Sequence, residues 1–323
     1  MKDLIEKIRQ KDRRALSRML SMVEERDAKS LELLASLFAE RKSSISIGVT
    51  GPAGAGKSTL IDQLIRTYRK NNQTVAVVAV DPSSPFSGGA VLGDRVRMQK
   101  HYEDEGVFIR SVGSRGKTGG VSFSTRALLD VMNVYGTDVV ILETVGAGQS
   151  EVDVMNLVDT TLVVLTPEGG DSIQALKAGM LEIADIFVIN KKDRAGSELM
   201  AHEVQTMISL APQETSWKPP VLMTLAQTGE GVDALVQDIQ KHVSYLEDQD
   251  HPEIEQRKLL GAVSEIIKAR VSQEVMDFCS SDAGLREKLQ QDPKTQNPYQ
   301  IAIECFDRLD QARLARAKAS KGK

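Results

Sequence analysis

One nine-residue stretch carries the strongest chemical signal in the chain. It consists of Gly51, Pro52, Ala53, Gly54, Ala55, Gly56, Lys57, Ser58 and Thr59. The glycines, the lysine and the serine have the spacing of a phosphate loop, and the apolar run 45–49 comes directly before them. Backbone N–H groups of such a loop converge on the β-phosphate, and the helix that follows adds its positive end. We therefore predict that Lys57 bridges the β- and γ-phosphates and that Ser58 binds Mg²⁺.

A second motif addresses which base is bound. Asn190, Lys191, Lys192 and Asp193 follow the apolar run 186–189. A carboxylate at Asp193 can accept two hydrogen bonds from the N1–H and amino groups of guanine, and adenine lacks this donor pair. The aliphatic stem of Lys191 would cover the ring. Such a four-residue motif alone is usually a surface turn, but its position two strands after the Walker B-like segment that ends in Glu143 favours a functional role. The donor pair of guanine then favours GTP over ATP.

A third segment completes the predicted base site. Leu225, Ala226 and Gln227 close the apolar run 221–225. Their backbone N–H groups are expected to reach the guanine oxygen, a contact that does not depend on the side chains.

Three acids are candidates for Mg²⁺ and the γ-phosphate. Glu143 ends the run 139–142, Asp81 ends the run 75–80, and Asp94 lies in a glycine-rich stretch. Mg²⁺ prefers oxygen ligands and keeps several waters, so all three cannot bind it directly at once. We expect Ser58 and one carboxylate as direct ligands, with the others acting through water or in one nucleotide state. Helix capping is the alternative role for Asp94.

The residue that orients the attacking water is not evident. Small Ras-like GTPases have a glutamine directly after the switch glycine, whereas Ala147 follows Gly146 here. Intrinsic hydrolysis is therefore expected to be slow and to be stimulated by a partner or by rearranged switches. Gln149 is a candidate, with a structural role as the alternative. Five basic residues could supply charge to the transition state, and Lys177 is favoured among Arg95, Arg97, Arg110, Arg115 and Lys177.

The elements that must position these residues follow an alternating pattern. Seven short apolar runs alternate with helical patterns, at 45–49, 75–80, 107–112, 139–142, 161–165, 186–189 and 221–225. This alternation predicts an α/β fold with a mostly parallel sheet covered by helices on both faces. Ligands of such sheets bind beyond the carboxyl ends of the strands, where the motifs above are placed.

Helical patterns flank the predicted sheet, and we divide the chain into 1–42, 43–248 and 249–323. One or two amphipathic helices are expected in the first part. In the last part, two helices are expected, one of roughly 25 residues along an apolar stripe and one from about Tyr299 to Arg316. This arm is too small to bury its own stripe, so it must dock on the nucleotide-binding domain or on another subunit, and a homodimer is favoured.

Length, composition and charge argue against several classes of protein. The chain has 323 residues, 41% of them hydrophobic, and a formal net charge of −4, which argues against a general nucleic-acid binder. The two cysteines, Cys279 and Cys305, predict no disulfide framework and favour a cytoplasmic setting. No apolar run has membrane-spanning length, and the first residues resemble neither a secretory signal nor a transit peptide.

Together these motifs resemble the MeaB/ArgK/MMAA family of GTPases, in the SIMIBI class of P-loop proteins. Further matches lie at 80–84, 93–95, 143–151, 170–179 and 182–186, and the resemblance covers almost the whole chain. It implies a homodimeric chaperone of adenosylcobalamin-dependent acyl-CoA mutases. It also implies GTP/GDP and Mg²⁺ as cofactors, and three switch regions at about 82–100, 143–151 and 166–180.

The sequence differs from the usual family pattern at two positions, and three alternative functions are considered. Leu225 stands where Ser is usual, and Ser172 stands where an acid is common. The second departure removes one charge from the third switch, which the resemblance implies contacts the mutase. A nickel metallochaperone would need His-rich or Cys-x-x-Cys delivery ligands, which the sequence lacks. The other rivals are a phosphotransferase acting on arginine or protein and a scaffold that binds nucleotide without hydrolysing it.

Overall fold

The computed structural model describes residues 2–25, 28–42, 44–81, 98–113, 120–144, 157–167, 180–210, 216–248, 252–289 and 296–321. Within these ranges the chain forms two compact units, Met1–His251 and Pro252–Lys323. Each unit is described by itself.

A seven-stranded parallel sheet forms the centre of the first unit. Its strands are β1 (Ile45–Thr50), β2 (Val75–Asp81), β3 (Val107–Gly113), β4 (Val139–Thr144), β5 (Thr160–Leu165), β6 (Ile186–Asn190) and β7 (Val221–Thr224). They lie in the order β3-β2-β4-β1-β5-β6-β7, and every neighbouring pair is parallel. The predicted α/β fold and its seven strands are confirmed. Valine- and isoleucine-rich runs become strands here because a parallel sheet is buried on both faces.

In the described part of this unit, four helices accompany the strands in addition to the N-terminal helices. They are α4 (Lys57–Lys70), α5 (Gly120–Tyr135), α6 (Ser197–Leu210) and α7 (Val232–Asp248), preceded by the N-terminal helices described below, and a single turn lies at Leu181–Ile183. Helices α4 and α7 pack on one face of the sheet, where Leu64 and Ile239 share a fully buried core with Val49 and Ile141. On the other face, α6 covers a second core around Phe187. The phosphate-loop strand β1 is thus central and shielded from water.

The N-terminal part forms three helices, where one or two were expected. They are α1 (Lys2–Arg9), α2 (Arg13–Glu24) and α3 (Ala28–Leu37), followed by a 3₁₀ turn at Phe38–Glu40. The chain breaks between α1 and α2 because Lys11 adopts a left-handed backbone with φ of 62°. Asp12 then caps α2, accepting a hydrogen bond of 2.7 Å from the Ala15 amide. All three helices contact α5.

Three helices form in the described residues of the second unit. They are α8 (Pro252–Ser281), α9 (Ala283–Leu289) and α10 (Pro298–Lys321), so the two long helices are somewhat longer than expected. Ion pairs join α8 to α10, including Arg313 to Glu274 at 2.9 Å. Asp282 caps α9 and also binds Arg308 of α10 at 2.9 Å. Among the described residues of the chain, no helix is long and apolar enough to cross a membrane.

Candidate functional site

The phosphate-loop sequence forms a turn between β1 and α4, as its pattern predicts. Gly51 has a φ of 139°, and a Cβ atom there would lie 2.1 Å from the carbonyl oxygen of Val164 on β5. Gly56 has a φ of 88°, and a Cβ atom there would lie 2.4 Å from Nδ2 of Asn190. Both positions require glycine, since side chains rarely adopt such φ values and the neighbouring atoms leave no room. The loop backbone therefore packs directly on β5 and β6.

Lys57 begins α4 and points back over the loop. Its Nζ donates hydrogen bonds to the carbonyl oxygens of Gly51 at 2.7 Å and Pro52 at 3.1 Å. The side chain is buried, so the ammonium group is held in the concave side of the loop. The structure thus places the Lys57 ammonium group against the loop backbone, and its role on the β- and γ-phosphates stays a prediction.

Ser58 and Glu143 meet beside the loop. The Ser58 hydroxyl donates to Glu143 Oε1 at 2.7 Å, and both residues are buried. A hydroxyl and a carboxylate are oxygen donors of the kind that Mg²⁺ prefers. The described residues hold no group of three or more His, Cys, Asp or Glu side chains suited to a metal ion. This small oxygen set fits Mg²⁺, which commonly takes one or two protein ligands and fills its other positions with water and phosphate oxygens.

The other predicted ligands are placed only in part. Asp81 is the last residue of β2. Because β2 pairs with β4 and Val80 lies opposite Thr144, the Asp81 backbone is at the same end of the sheet as Glu143. Asp94 and Lys177 fall outside the described residues, as do Ala147 and Gln149. Their predicted roles stay predictions.

Asn190 joins the phosphate loop to the predicted base site. Its Nδ2 donates to the carbonyl oxygen of Ala55 at 2.8 Å. Its Oδ1 accepts from the Ala226 amide at 3.1 Å and from the Thr224 hydroxyl at 3.2 Å. The side chain is 2% exposed, so these bonds are shielded from water. One amide group thus fixes three segments that the sequence separates widely.

The remaining residues of this motif turn outward after β6. Lys191 adopts a left-handed backbone with φ of 58°, and the Arg194 amide closes the turn on its carbonyl oxygen at 2.9 Å. The Asp193 side chain is 52% exposed. An exposed carboxylate next to a buried asparagine is available to a base that enters from solvent.

The segment 225–227 lies beside this turn. The Leu225 amide donates to the Glu230 carbonyl oxygen at 3.0 Å, and the Ala226 amide donates to Asn190. Gln227 is exposed next to them. The structure thus brings the three predicted residues to the base motif, with two of their N–H groups already engaged by the protein.

Two residues that hold this region were missed in the sequence. Thr224 binds Asn190, and Glu230 forms an ion pair with Lys192 across the two loops. Thr224 could have been found in the sequence, because its hydroxyl lies at the end of the apolar run just before Leu225. Glu230 could not, because an exposed acid does not by itself indicate an ion pair. Arg110, a candidate charge for the transition state, lies within β3 and binds Glu24 and Ser21 of α2.

Comparisons with known proteins agree with this geometry. The profile of a family described as "Methylmalonyl Co-A mutase-associated GTPase MeaB" matches residues 16–280. PH0274 of Pyrococcus horikoshii, whose name describes it as a GTPase, is 41% identical over 276 residues, which are 84% of each chain. GTPase ArgK of Escherichia coli is 37% identical over 239 residues, which are 72% of each chain.

A solved structure supports the fold as well. The crystal structure of LAO/AO transport system kinase matches with a TM-score of 0.67 and 26% identity. The match covers 95% of this chain and 97% of that one.

Proposed function

Because the chain belongs to the MeaB family of methylmalonyl-CoA mutase-associated GTPases, we propose that it couples GTP binding and hydrolysis to an adenosylcobalamin-dependent acyl-CoA mutase. The chain itself is a GTPase by this membership. The finer role, as a chaperone that loads and protects the cofactor of the mutase, is part of this proposal, and the mutase association named in the family description supports it.

One observation carries the proposal: Asn190 bonds Ala55 of the phosphate loop and Ala226 of the base loop at the same time. Phosphate and base recognition are therefore parts of a single rigid site. In it, residues 51–59 hold the phosphates, Asp193 accepts from guanine, and Lys191 covers the ring.

Ser58 and Glu143 are the residues that would hold Mg²⁺. When bound, the ion would neutralise charge on the β- and γ-phosphate oxygens. Lys57 adds a further positive charge from the concave side of the loop, where its ammonium group now contacts Gly51 and Pro52. Asp81 and Asp94 are proposed to act through water or in one nucleotide state, and Lys177 to contribute charge during hydrolysis.

Coupling to the mutase follows from a shift between two arrangements. The proposed switches at about 82–100, 143–151 and 166–180 contain Asp94, Glu143 and Lys177, and loss of the γ-phosphate would release them. A mutase that prefers one arrangement changes nucleotide affinity, and nucleotide changes mutase affinity by the same factor. Slow intrinsic hydrolysis suits such a switch, because the bound state then persists until the partner acts.

The second unit is proposed to join two copies of the chain. Leu260, Val263, Ile267 and Val271 recur on α8 at spacings of three and four, and between 42% and 70% of each is exposed. Tyr299, Ile303 and Phe306 repeat this pattern on α10, with more than 60% of each exposed. Apolar rows of this extent are unusual on a monomer, and a second identical copy offers a matching surface.

Single-turnover GTP hydrolysis, with and without a candidate mutase, tests the proposed function. We expect slow release of phosphate that changes when the mutase is added, and co-purification of the native protein would identify that mutase. No turnover in either condition would instead indicate a nucleotide-bound scaffold. Transfer of phosphate to an acceptor would indicate a phosphotransferase.

A further inference from the structure

The turn that follows β6 is fixed at its middle residue, Lys192. This residue lies between Lys191 and Asp193, the two residues proposed to contact guanine. The Lys192 amide donates to the Thr224 carbonyl oxygen at 3.0 Å, and the Lys192 carbonyl oxygen accepts from the Ser197 hydroxyl at 2.9 Å. The backbone is thus attached to the end of β7 and to the start of α6, immediately before it continues into Asp193.

The loop that follows β7, residues 225–230, closes on itself. The Leu225 amide donates to the Glu230 carbonyl oxygen at 3.0 Å, and the two residues form an antiparallel bridge. Gly231 follows with a φ of 82°, and a Cβ atom there would lie 2.4 Å from the carbonyl oxygen of Met223 on β7. The backbone of Glu230 is therefore held between Leu225, which begins the predicted base contacts, and the packing of Gly231 on β7.

An ion pair joins the turn to the loop from the side that faces water. The Lys192 ammonium group binds the Glu230 carboxylate. Asn190 joins the same two segments from the buried side, through its hydrogen bond with the Ala226 amide. The two segments that are proposed to contact guanine are thus joined twice, and Asp193 directly follows one member of the outer pair.

Exposed ion pairs usually contribute little, because two long side chains lose conformational freedom when they pair. Here both backbones are already fixed by the contacts above, and only 30% of the Lys192 side chain is exposed, against 59% for Glu230. The freedom that remains to be lost on pairing is therefore small. A binding site that is held in its bound geometry also retains its ligand longer, because less ordering accompanies binding.

We propose that Lys192 and Glu230 are positioning residues for the guanine base, because their ion pair sets the separation of the turn that carries Asp193 and the loop 225–230. This role rests on the proposed function, and in particular on the base site assigned there. Neither residue contacts the nucleotide. Their effect reaches the base through Asp193, the next residue along the chain, and through Leu225, the backbone partner of Glu230, and it slows the release of nucleotide.

The test measures how fast the full-length protein releases a fluorescent GDP analogue, N-methylanthraniloyl-GDP, when excess GDP displaces it. Lys192→Met and Glu230→Gln each remove one charge with little change in side-chain size. We expect release to be about threefold to fivefold faster in either variant, which is the upper range for an exposed ion pair. The double variant should release the analogue no faster than the faster single variant, because each single change already breaks the pair. Lys241→Met, which breaks an exposed ion pair on α7, is the matched control and should release it at the unchanged rate.

Three further measurements separate positioning from a loss of stability. Lys192→Arg keeps the charge, so its release rate should lie within about twofold of that of the unchanged protein. At about 1 M salt, where charges are screened beyond about 3 Å, Lys192→Met and the unchanged protein should release the analogue at similar rates. The urea midpoint of unfolding without nucleotide should be the same for all variants, because Asn190 continues to join the two segments.

Failure of this role and failure of the proposed function give different results. Unchanged release in both single variants, additive effects in the double variant, or fast release in Lys192→Arg would overturn the positioning role alone. A lower unfolding midpoint that accompanies faster release would also overturn it, in favour of a role in stability. An unchanged protein that binds no guanine nucleotide would overturn the proposed function and the positioning role with it.

Discussion

At the scale of single residues, the site depends on groups whose positions leave little tolerance. A Cβ atom at Gly51 or Gly56 would collide with neighbouring protein atoms. The Asn190 side chain hydrogen-bonds both the phosphate loop and the segment at Ala226. The glycine spacing was readable in the sequence because function fixes it. The atoms that require glycine at these positions could not be predicted from the sequence, because Val164 and Asn190 belong to strands far along the chain.

Gly51→Ala should destabilise the fold much more than Gly54→Ala does. A Cβ atom at Gly51 would lie 2.1 Å from a backbone oxygen, whereas none of the atoms around Gly54, with φ of 77°, comes within 4 Å of one. We expect a loss in unfolding free energy of about 3 kcal/mol or more for Gly51→Ala. For Gly54→Ala, left-handed strain alone should cost about 1 kcal/mol. Urea denaturation measures both, and equal losses would contradict the close packing of the loop on β5.

Asp193→Asn should change which base is bound. The amide cannot accept both guanine protons, so GTP affinity should fall about a hundredfold as charge-assisted hydrogen bonds of about 1.5–3 kcal/mol are lost. Xanthosine triphosphate carries an oxygen in place of the amino group, so its binding should be weakened far less. Calorimetry with both nucleotides is the measurement, and Glu198→Gln, on the exposed face of α6, is the control. Equal losses for the two nucleotides would contradict the role given to Asp193.

At the scale of elements, hydrophobic pattern predicted the sheet well. All seven strands were foreseen, because burial on both faces leaves near-continuous apolar runs. The N-terminal helices were undercounted, although Asp12 offered a capping signal before Arg13. The attachment of residues 98–106 to α4, through Asp62–His101 and Arg69–Asp104, was not foreseen at all. Its contacts join charged residues that are 35 and 39 positions apart, and such residues read as an ordinary solvated helix face.

The Arg69–Asp104 contact should make stability depend on pH in a defined direction. The Arg69 guanidinium, which hydrogen-bonds the carboxylate, holds the pKa of Asp104 below its ordinary value of 3.8 against the opposing effect of burial. A lowered carboxyl pKa contributes stability above the unfolded value, and this contribution is lost as pH falls through the folded value. Asp104→Asn should therefore cost about 1 kcal/mol near pH 7 and progressively less below about pH 4.

Denaturant unfolding of both proteins across this pH range provides the measurement. Asp3→Asn, at an exposed position of α1, is the matched control and should show almost no effect at any pH. A difference for Asp104→Asn that stays constant down to pH 2 would contradict the ionic character of the contact.

At the scale of the whole molecule, the second unit exposes rows of apolar side chains on α8 and α10. A charge in the middle of its apolar row should prevent the proposed association. Ile267→Glu should therefore shift the protein from twice the 35.3 kDa chain mass to a single chain. Sedimentation velocity measures this change.

Lys268→Glu is the control for this prediction, since it introduces the same group at a neighbouring position with a highly exposed side chain. It should leave the assembly intact. A monomeric unchanged protein, or equal dissociation of both variants, would contradict the proposed interface.

The strand order has a consequence for synthesis of the protein. β1 lies between β4 and β5, and the bond from Asn190 to Ala55 spans 135 residues. A ribosome must therefore deliver Ala226 before the proposed guanine site is complete, and long-range pairing of this kind is slow. Nucleotide binding therefore cannot stabilise the first two-thirds of the chain during synthesis. GTP can stabilise the fold only after β7 has emerged from the ribosome.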